Sequence, residues 1–429
     1  MSGEIEQRVW KSRVAGLLQP GSTIGLQGLS SLANLVITWF LVRALGLEGF
    51  GVFSIIFVIA NAVMAVAVAF VVNPLNSLAS ALGPRGQREF FAAARLGMLL
   101  AVTLIAGLTA FAALVASNFS ISARAVWAAG LLTGAISIGE YYRRVLFLQG
   151  RTGNAGFYDA TRYIALAALF AVAWAQVPHA DPLIYVTALG ASYPIALIPL
   201  LAVARSESPV SPKRRLARLR QLSREGRWQA KIAMLSFLDG NGLLLATFAM
   251  LGPYAAGMIR LAQSIVGIAN PVLYSLEHTV PRWLGSLQRK LAPDALWQAY
   301  MRLALRIIAA FAVLYALIVV TTPFVLEIIN VEAGTLVIAL VGAFCVYSLS
   351  CAILVLIEIH LRFTSRSATL TRIRLAACAA AFAMLIPAVT ALGPIGAILV
   401  MVFAKLVSIA ACLAGIAAGD RPLARESLR

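Results

Sequence analysis

The chain has 429 residues, of which 61% are hydrophobic and only 12% charged, with a mean hydropathy of +0.88. Soluble globular domains carry about a quarter charged residues, so this composition excludes them and points to an integral membrane protein. The formal net charge of +18 would indicate nucleic acid in a soluble protein. Here the basic segments lack interleaved base-stacking aromatics and follow a membrane pattern, so no nucleic-acid partner is expected.

Residues 1–20 come first. Ile5, Val9, Trp10, Val14, Leu17 and Leu18 recur at roughly helical spacing, with Arg8, Lys11 and Arg13 elsewhere. This predicts a short amphipathic helix on the inner membrane surface. The first apolar run is too long for a signal core and lacks a small-residue cleavage site, so it is expected to remain as the first span. Runs long enough to cross a hydrocarbon core of ~30 Å cover 22–43, 50–72, 92–116, 124–146, 157–177, 183–204, 229–250, 254–277, 303–324, 333–357, 369–390 and 394–417. They are too long and unbroken for barrel strands, so helices must satisfy the backbone. The expected fold is an all-α polytopic membrane protein with about twelve transmembrane helices in two pseudo-symmetric six-helix bundles.

Charge placement supports that count. Nearly all of the 35 Lys and Arg lie on the N-terminal side of the alternating segments; the opposite side holds only Arg43 and Arg124, while Arg260 and Lys405 fall within spans. The bias predicts both termini in the cytoplasm. Connections on the far side are too short to form a domain. Together with the lack of any nucleophile, base and acid constellation, that argues against an enzyme. Glycine-rich phosphate loops are missing too, so ATP is not expected as an energy source.

Two stretches repeat one another: Leu45-Gly46-Leu47-Glu48-Gly49-Phe50-Gly51 and Leu251-Gly252-Pro253-Tyr254-Ala255-Ala256-Gly257, at an offset of 206 residues. Each closes the first apolar run of its half and opens the second. The expected organisation is an N-terminal segment 1–20, a six-helix lobe 21–204, a basic cytoplasmic linker 205–231, a second lobe 232–417 and a tail 418–429. In the linker, Leu216, Leu219 and Leu222 fall every third residue. Part of it is therefore able to lie as a helix on anionic headgroups, beside the plainer reading of a solvated connector.

Gly21, Gly25 and Gly28 around the start of span one allow close helix approach. Asn61, Asn73 and Asn76 could line a cavity, and Asn73-Pro74 and Asn270-Pro271 predict two kinks. Charges inside spans are costly at the bilayer centre and are the natural functional candidates. Arg260 and Lys405 read as cavity-lining cations; Arg260 could instead snorkel outward or neutralise an acid. Asp239-Gly240-Asn241-Gly242 interrupts span seven. Asp239 reads either as a coupling carboxylate beside loosened carbonyls or as a structural partner of Arg260.

At the inner ends of spans four and five lie Glu140, Tyr141, Tyr142, Arg143 and Arg144, then Tyr158, Asp159, Arg162 and Tyr163. Glu140 is at helical spacing from Arg143 and Arg144. The tyrosines read as an interfacial belt, or as a vestibule where rings stack on sugars and guanidinium groups grip phosphate. The candidate substrate-binding residues are thus Arg260, Lys405, Arg143, Arg144 and Tyr142, and the candidate ion-coupling residues Asp239 and Glu140. Cys345, Cys351, Cys378 and Cys412 match no metal or redox spacing. His179, His278 and His360 are scattered, so no metal or cofactor is expected.

At these residues the chain resembles the bacterial polysaccharide and O-antigen flippases, of the superfamily that includes the multidrug and toxin extruders and the lipid II flippase. The likeness rests on the two Leu-Gly turns, on Met258-Ile259-Arg260-Leu261-Ala262-Gln263-Ser264 after the second, and on Asn270-Pro271 to Glu277 and Pro281. It implies two six-helix bundles that open alternately and carry an undecaprenyl-pyrophosphate-linked oligosaccharide, an O-antigen, capsule or exopolysaccharide repeat unit, from inner to outer leaflet. H+ or Na+ is the implied coupling ion. The implied partners are the lipid-linked oligosaccharide, membrane lipids and polysaccharide polymerase or assembly proteins, in a bacterial inner membrane. No acid stands in the first two spans, where many drug extruders keep a cation site, and twelve spans are fewer than lipid II flippases use. The alternative is a cation-coupled small-molecule antiporter of the same superfamily.

Overall fold

A computed structural model describes residues 2–80, 84–116, 122–176, 181–203, 210–270, 272–273, 280, 293–329, 334–363 and 367–418. The side chains of residues 1–20, of Gly21, Gly25, Asn76, Pro271, Glu277, Pro281 and the three histidines, and the tail beyond 418, lie outside them.

The described residues are almost wholly helical. Helix α1 (Ser2–Ser80) carries spans one and two and breaks at Gly46, where φ is 67° and ψ 176°. Helices α2 (Pro84–Ala116), α3 (Ala123–Leu148), α4 (Thr152–Gln176) and α5 (Pro182–Val203) supply spans three to six. Asp181 starts α5 by accepting the Leu183 N–H at 2.9 Å, with proline at the first helical position. Helix α6 (Pro212–Phe237), a π-helical turn (Leu238–Gly242) and the first part of α7 (Leu243–Val266) form span seven. α7 breaks at Gly252 (φ 80°, ψ −179°) before span eight. Helices α8 (Pro293–Ile329) and α9 (Gly334–Phe363) follow, and α10 (Ser367–Ala418) holds the last two spans around a break at Gly393 (φ 57°, ψ −140°). The chain is an all-α polytopic membrane protein of about twelve transmembrane helices in two pseudo-symmetric six-helix bundles.

The three breaks share a cause. Positive φ with extended ψ, 176° and −179° at Gly46 and Gly252 and −140° at Gly393, is backbone that glycine alone adopts cheaply, and each turn places one there between two apolar runs. The repeated motif has a further effect. A Cβ on Gly51 would overlap the carbonyl oxygen of Pro253, and a Cβ on Gly257 would overlap that of Leu47. These contacts are reciprocal at the 206-residue offset, so the two copies cross backbone to backbone. Leu392-Gly393-Pro394 repeats the start of the second copy, and there Gly396 meets the Ala388 carbonyl in the same way.

Apolar side chains face outward where a soluble protein would place charge. Leu100, Leu104, Leu108 and Phe111 on α2, and Val313, Leu317, Val320 and Phe324 on α8, are each more than half exposed. Their spacing of three or four residues makes a continuous stripe suited to acyl chains.

Contacts gather the chain into two compact units, Met1–Phe40 with Leu261–Arg429, and Leu41–Arg260. The second includes α6, because its leucines face protein. Leu222 is buried and Leu219 packs beside it among Val71, Phe90, Ala93 and Val145. Gly226 admits the Phe70 carbonyl, while Arg214 and Arg218 each reach Glu89 at 3.2 Å. Of the three leucines assigned a headgroup role, only Leu216 is exposed.

Candidate functional site: an arginine and tyrosine cluster at the α3–α4 turn

Helix α3 ends at a glycine. Gly150 adopts φ 71°, and the Arg151 N–H closes back on the Leu146 carbonyl at 2.9 Å, the left-handed stop that lets a helix reverse in few residues. The reversal brings the last turns of α3 alongside the first turns of α4. Arg143 Nε donates to Asp159 Oδ2 at 3.0 Å, and its Nη1 lies 3.5 Å from Glu140 Oε2. Arg144 donates to Glu140 Oε1 at 2.7 Å and to Asn73 Oδ1 at 3.2 Å. The helical pairing of Glu140 is therefore present with both arginines. Asn73 acts as an acceptor, and Asn61 donates to its own helix at the Phe57 carbonyl, 2.7 Å away.

Arg162 has different company. Its guanidinium lies over the rings of Tyr163 at 4.1 Å and Tyr193 at 4.9 Å, and Nη1 donates to Tyr193 Oη at 3.0 Å. Stacking between rings holds a guanidinium without neutralising it. Two carboxylates, Glu140 and Asp159, face three guanidinium groups, Arg143, Arg144 and Arg162, leaving the cluster cationic.

Gly139 positions this arrangement. A Cβ there would overlap both Tyr158 Oη and the Tyr193 ring, so the absence of a side chain lets both tyrosines seat against α3. Tyr158 is 1% exposed, yet its hydroxyl has no hydrogen-bond partner among the described residues. An orphan hydroxyl at such depth costs about 1–3 kcal/mol unless something else satisfies it. Tyr142 packs edge-to-face on Tyr141, with ring centroids 5.2 Å apart, and touches the apolar clusters on both sides of α3. Its neighbour Tyr141 is tied to the Phe91 carbonyl of α2 at 3.2 Å.

The remaining candidates stand elsewhere. Arg260, on α7, lies over the Phe57 ring at 5.3 Å. Lys405, on α10, is 8% exposed and lies 5.9 Å from the Tyr347 ring. Asp239 is buried within the π-turn, where Gly240, Asn241 and Gly242 follow it. The interruption read from the glycines is thus a helix with one residue too many for an α-turn, a feature often found at functional sites.

Sequence reasoning missed two things. Arg162 was only one of several basic residues; its separation from Arg143 and Arg144 depends on Tyr193, which comes from another helix. A second buried ion pair, Glu358 on α9 with Arg374 on α10, was not anticipated. Arg374 Nε donates to Glu358 Oε1 at 2.8 Å, and the carboxylate side chain is 3% exposed. Both residues sit at the ends of apolar runs, where charges ordinarily mark an interface. The signal was an acid and a base 16 residues apart across a helical turn, the separation of Arg143 and Asp159.

No family model and no curated protein matches the sequence. Solved structures do. The chain is similar to an inward-facing multidrug resistance MATE family transporter of the MOP superfamily, with TM-score 0.67 and 14% identity over 91% of this chain and 93% of that one. It is similar to the lipid II flippase MurJ in an inward closed conformation, with TM-score 0.63 and 13% identity over 91% and 86%. A MATE transporter of Vibrio cholerae, VcmN, superposes with TM-score 0.63 at 14% identity over 96% and 98%. These neighbours are transporters and a flippase, and at such identities the likeness carries the fold: this multi-pass membrane protein has the fold of MOP-superfamily transporters.

Proposed function

We propose that the protein moves an undecaprenyl-pyrophosphate-linked oligosaccharide, an O-antigen, capsule or exopolysaccharide repeat unit, from the inner to the outer leaflet of a bacterial inner membrane. Transport runs by alternating access of lobes 21–204 and 232–417, coupled to H+ or Na+, with both termini in the cytoplasm. The observation that carries this reading is Arg162. A guanidinium held between two tyrosine rings offers its remaining donors to a phosphate, while rings beside it suit a sugar face. Arg143 and Arg144 add positive charge while held by Glu140 and Asp159. Arg260 and Lys405, each beside an aromatic ring within a span, receive the anionic head as it crosses. Such a head cannot cross hydrocarbon alone, and a cationic path that keeps it wet solves that problem. Polymerase or assembly proteins then take the product.

The test is a leaflet-resolved assay of glycan-lipid. Cells lacking the protein should retain glycan-lipid on the inner leaflet. Arg162→Gln should reproduce much of that defect, and Arg260→Ala and Lys405→Ala should do so with the protein still inserted. Normal surface glycan in all three variants would remove the reading.

A second reading is supported by the π-turn. A buried carboxylate beside loosened carbonyls is a cation site in form, which suits a cation-coupled antiporter of small molecules. That reading requires deletion to alter drug susceptibility while surface polysaccharide stays unchanged, and Asp239→Asn to abolish the effect.

A further inference from the structure

Helix α6 presents two faces with different company. At about 100° per residue, Leu219, Leu222 and Gly226 fall on the side that meets protein. Arg220, Arg224, Arg227 and Lys231 fall within about 60° of one another on the opposite side. All four are exposed, and among the described residues no carboxylate pairs with them, whereas Glu89 holds Arg214 and Arg218 on the flank. Glu225, the single acid of the helix, projects about 120° away from the centre of this stripe. Leu216, 47% exposed, borders it on one edge and Trp228, 67% exposed, on the other.

Its depth follows from the buried face. Leu219 lies against Gly97, and Gly226 against the Phe70 carbonyl. Phe70 and Gly97 sit at the ends of apolar spans two and three, so the stripe runs at the level where hydrocarbon gives way to headgroups. Four positive charges spread over roughly 16 Å of helix are too dispersed to cup one compact anion. They match a row of neighbouring headgroups, with an exposed tryptophan and leucine placed to enter the acyl boundary.

We propose that this outward face of α6 binds anionic phospholipid headgroups directly. It serves as a lipid-anchored strut, independent of whatever the transporter carries.

The experiment uses the full-length protein in nanodiscs containing either phosphatidylglycerol or phosphatidylethanolamine. Retained lipid is counted by native mass spectrometry, and anionic-lipid affinity is measured by titration. Wild type should retain phosphatidylglycerol selectively, and added salt should weaken that preference. Removing a basic residue at such a surface weakens binding about fivefold, so Arg220→Gln/Arg224→Gln/Arg227→Gln should lose roughly a hundredfold. The matching triple lysine variant should retain the selectivity, because charge and not guanidinium geometry is read. Glu89→Gln, on the other flank, should leave it intact. Equal retention of both lipids by wild type, an unchanged preference in the glutamine variant, or displacement by millimolar inorganic pyrophosphate would each overturn the proposal. If the glutamine variant does not accumulate, the salt titration of wild type decides alone, a flat response counting against.

Discussion

The pairs Arg143–Asp159 and Glu358–Arg374 solve one problem in two ways. Each links a helix to the next across 16 residues, but the acid and base have exchanged helices. Arg143 belongs to a branched network with Glu140, Arg144 and Asn73. Glu358 and Arg374 meet beside an apolar cluster that holds Leu354, Ile373 and Cys412. The tyrosine ties reverse as well: Tyr141 on α3 donates back to α2, whereas Tyr300 on α8 donates forward to the Leu356 carbonyl of α9. The repeat preserves the fastening of neighbouring helices while leaving the sign of the charge free. Beside the branched version stands Arg162, stacked on Tyr163 and Tyr193, and the anion-binding reading falls on that side.

The contrast can be broken most forcefully at Glu358. Removing one partner of a buried pair leaves an uncompensated charge, at a cost of about 3–5 kcal/mol. Glu358→Gln, at a carboxylate side chain only 3% exposed, should therefore lower the unfolding midpoint in detergent more than Asp159→Asn, where the side chain is 10% exposed and Arg143 retains Glu140. Equal losses would show that the branched network offers no redundancy. Next come the crossed glycines. Gly51→Ala or Gly257→Ala forces a methyl into a carbonyl, which typically costs about 1–3 kcal/mol. The double variant should cost less than the sum, because the two contacts belong to one crossing that either methyl pushes apart; additive losses in the same melts would refute a shared crossing.

Gly139→Ala should sharpen the comparison functionally. On the proposed function, displacing Tyr158 and Tyr193 should reduce glycan-lipid transfer severalfold and lower the melting temperature as well, whereas alanine at Gly342, which has open space around it, should change neither. The smallest effect is expected at Arg144. Its side chain is 40% exposed, so Arg144→Gln should cost under about 1 kcal/mol. A larger drop in midpoint would mean that the Asn73 bond matters more than the ion pair.

The spans were legible because hydrocarbon thickness imposes a minimum length on any apolar helix, and that length is visible without coordinates. The turns at Gly46 and Gly252 and the interruption after Asp239 were legible as glycines inside apolar runs. What a glycine faces was not: nothing in the string Leu251 to Gly257 says that Leu47 approaches it. Likewise, Leu219 and Leu222 read equally well as lipid-facing or protein-facing, since both environments are apolar. In the basic helix that follows Ser211, the charge hides how closely Leu222 and Gly226 on its other face pack. In the cluster, the residue types were readable, but the division between occupied arginines and Arg162 depends on Tyr193, thirty-one positions away.

The π-turn also sets a phase. One surplus residue between Leu238 and Gly242 rotates everything up to the next break by about 100°. Leu243, Leu244, Thr247 and Phe248 are all buried beyond it. Straightening this turn into a regular coil with every residue kept would swing that quartet off its seat by about 100°, so this sequence is correctly faced only while the misfit is kept. The misfit thus fixes which face of span seven beyond residue 242 packs inward, a choice that the apolar sequence alone leaves open.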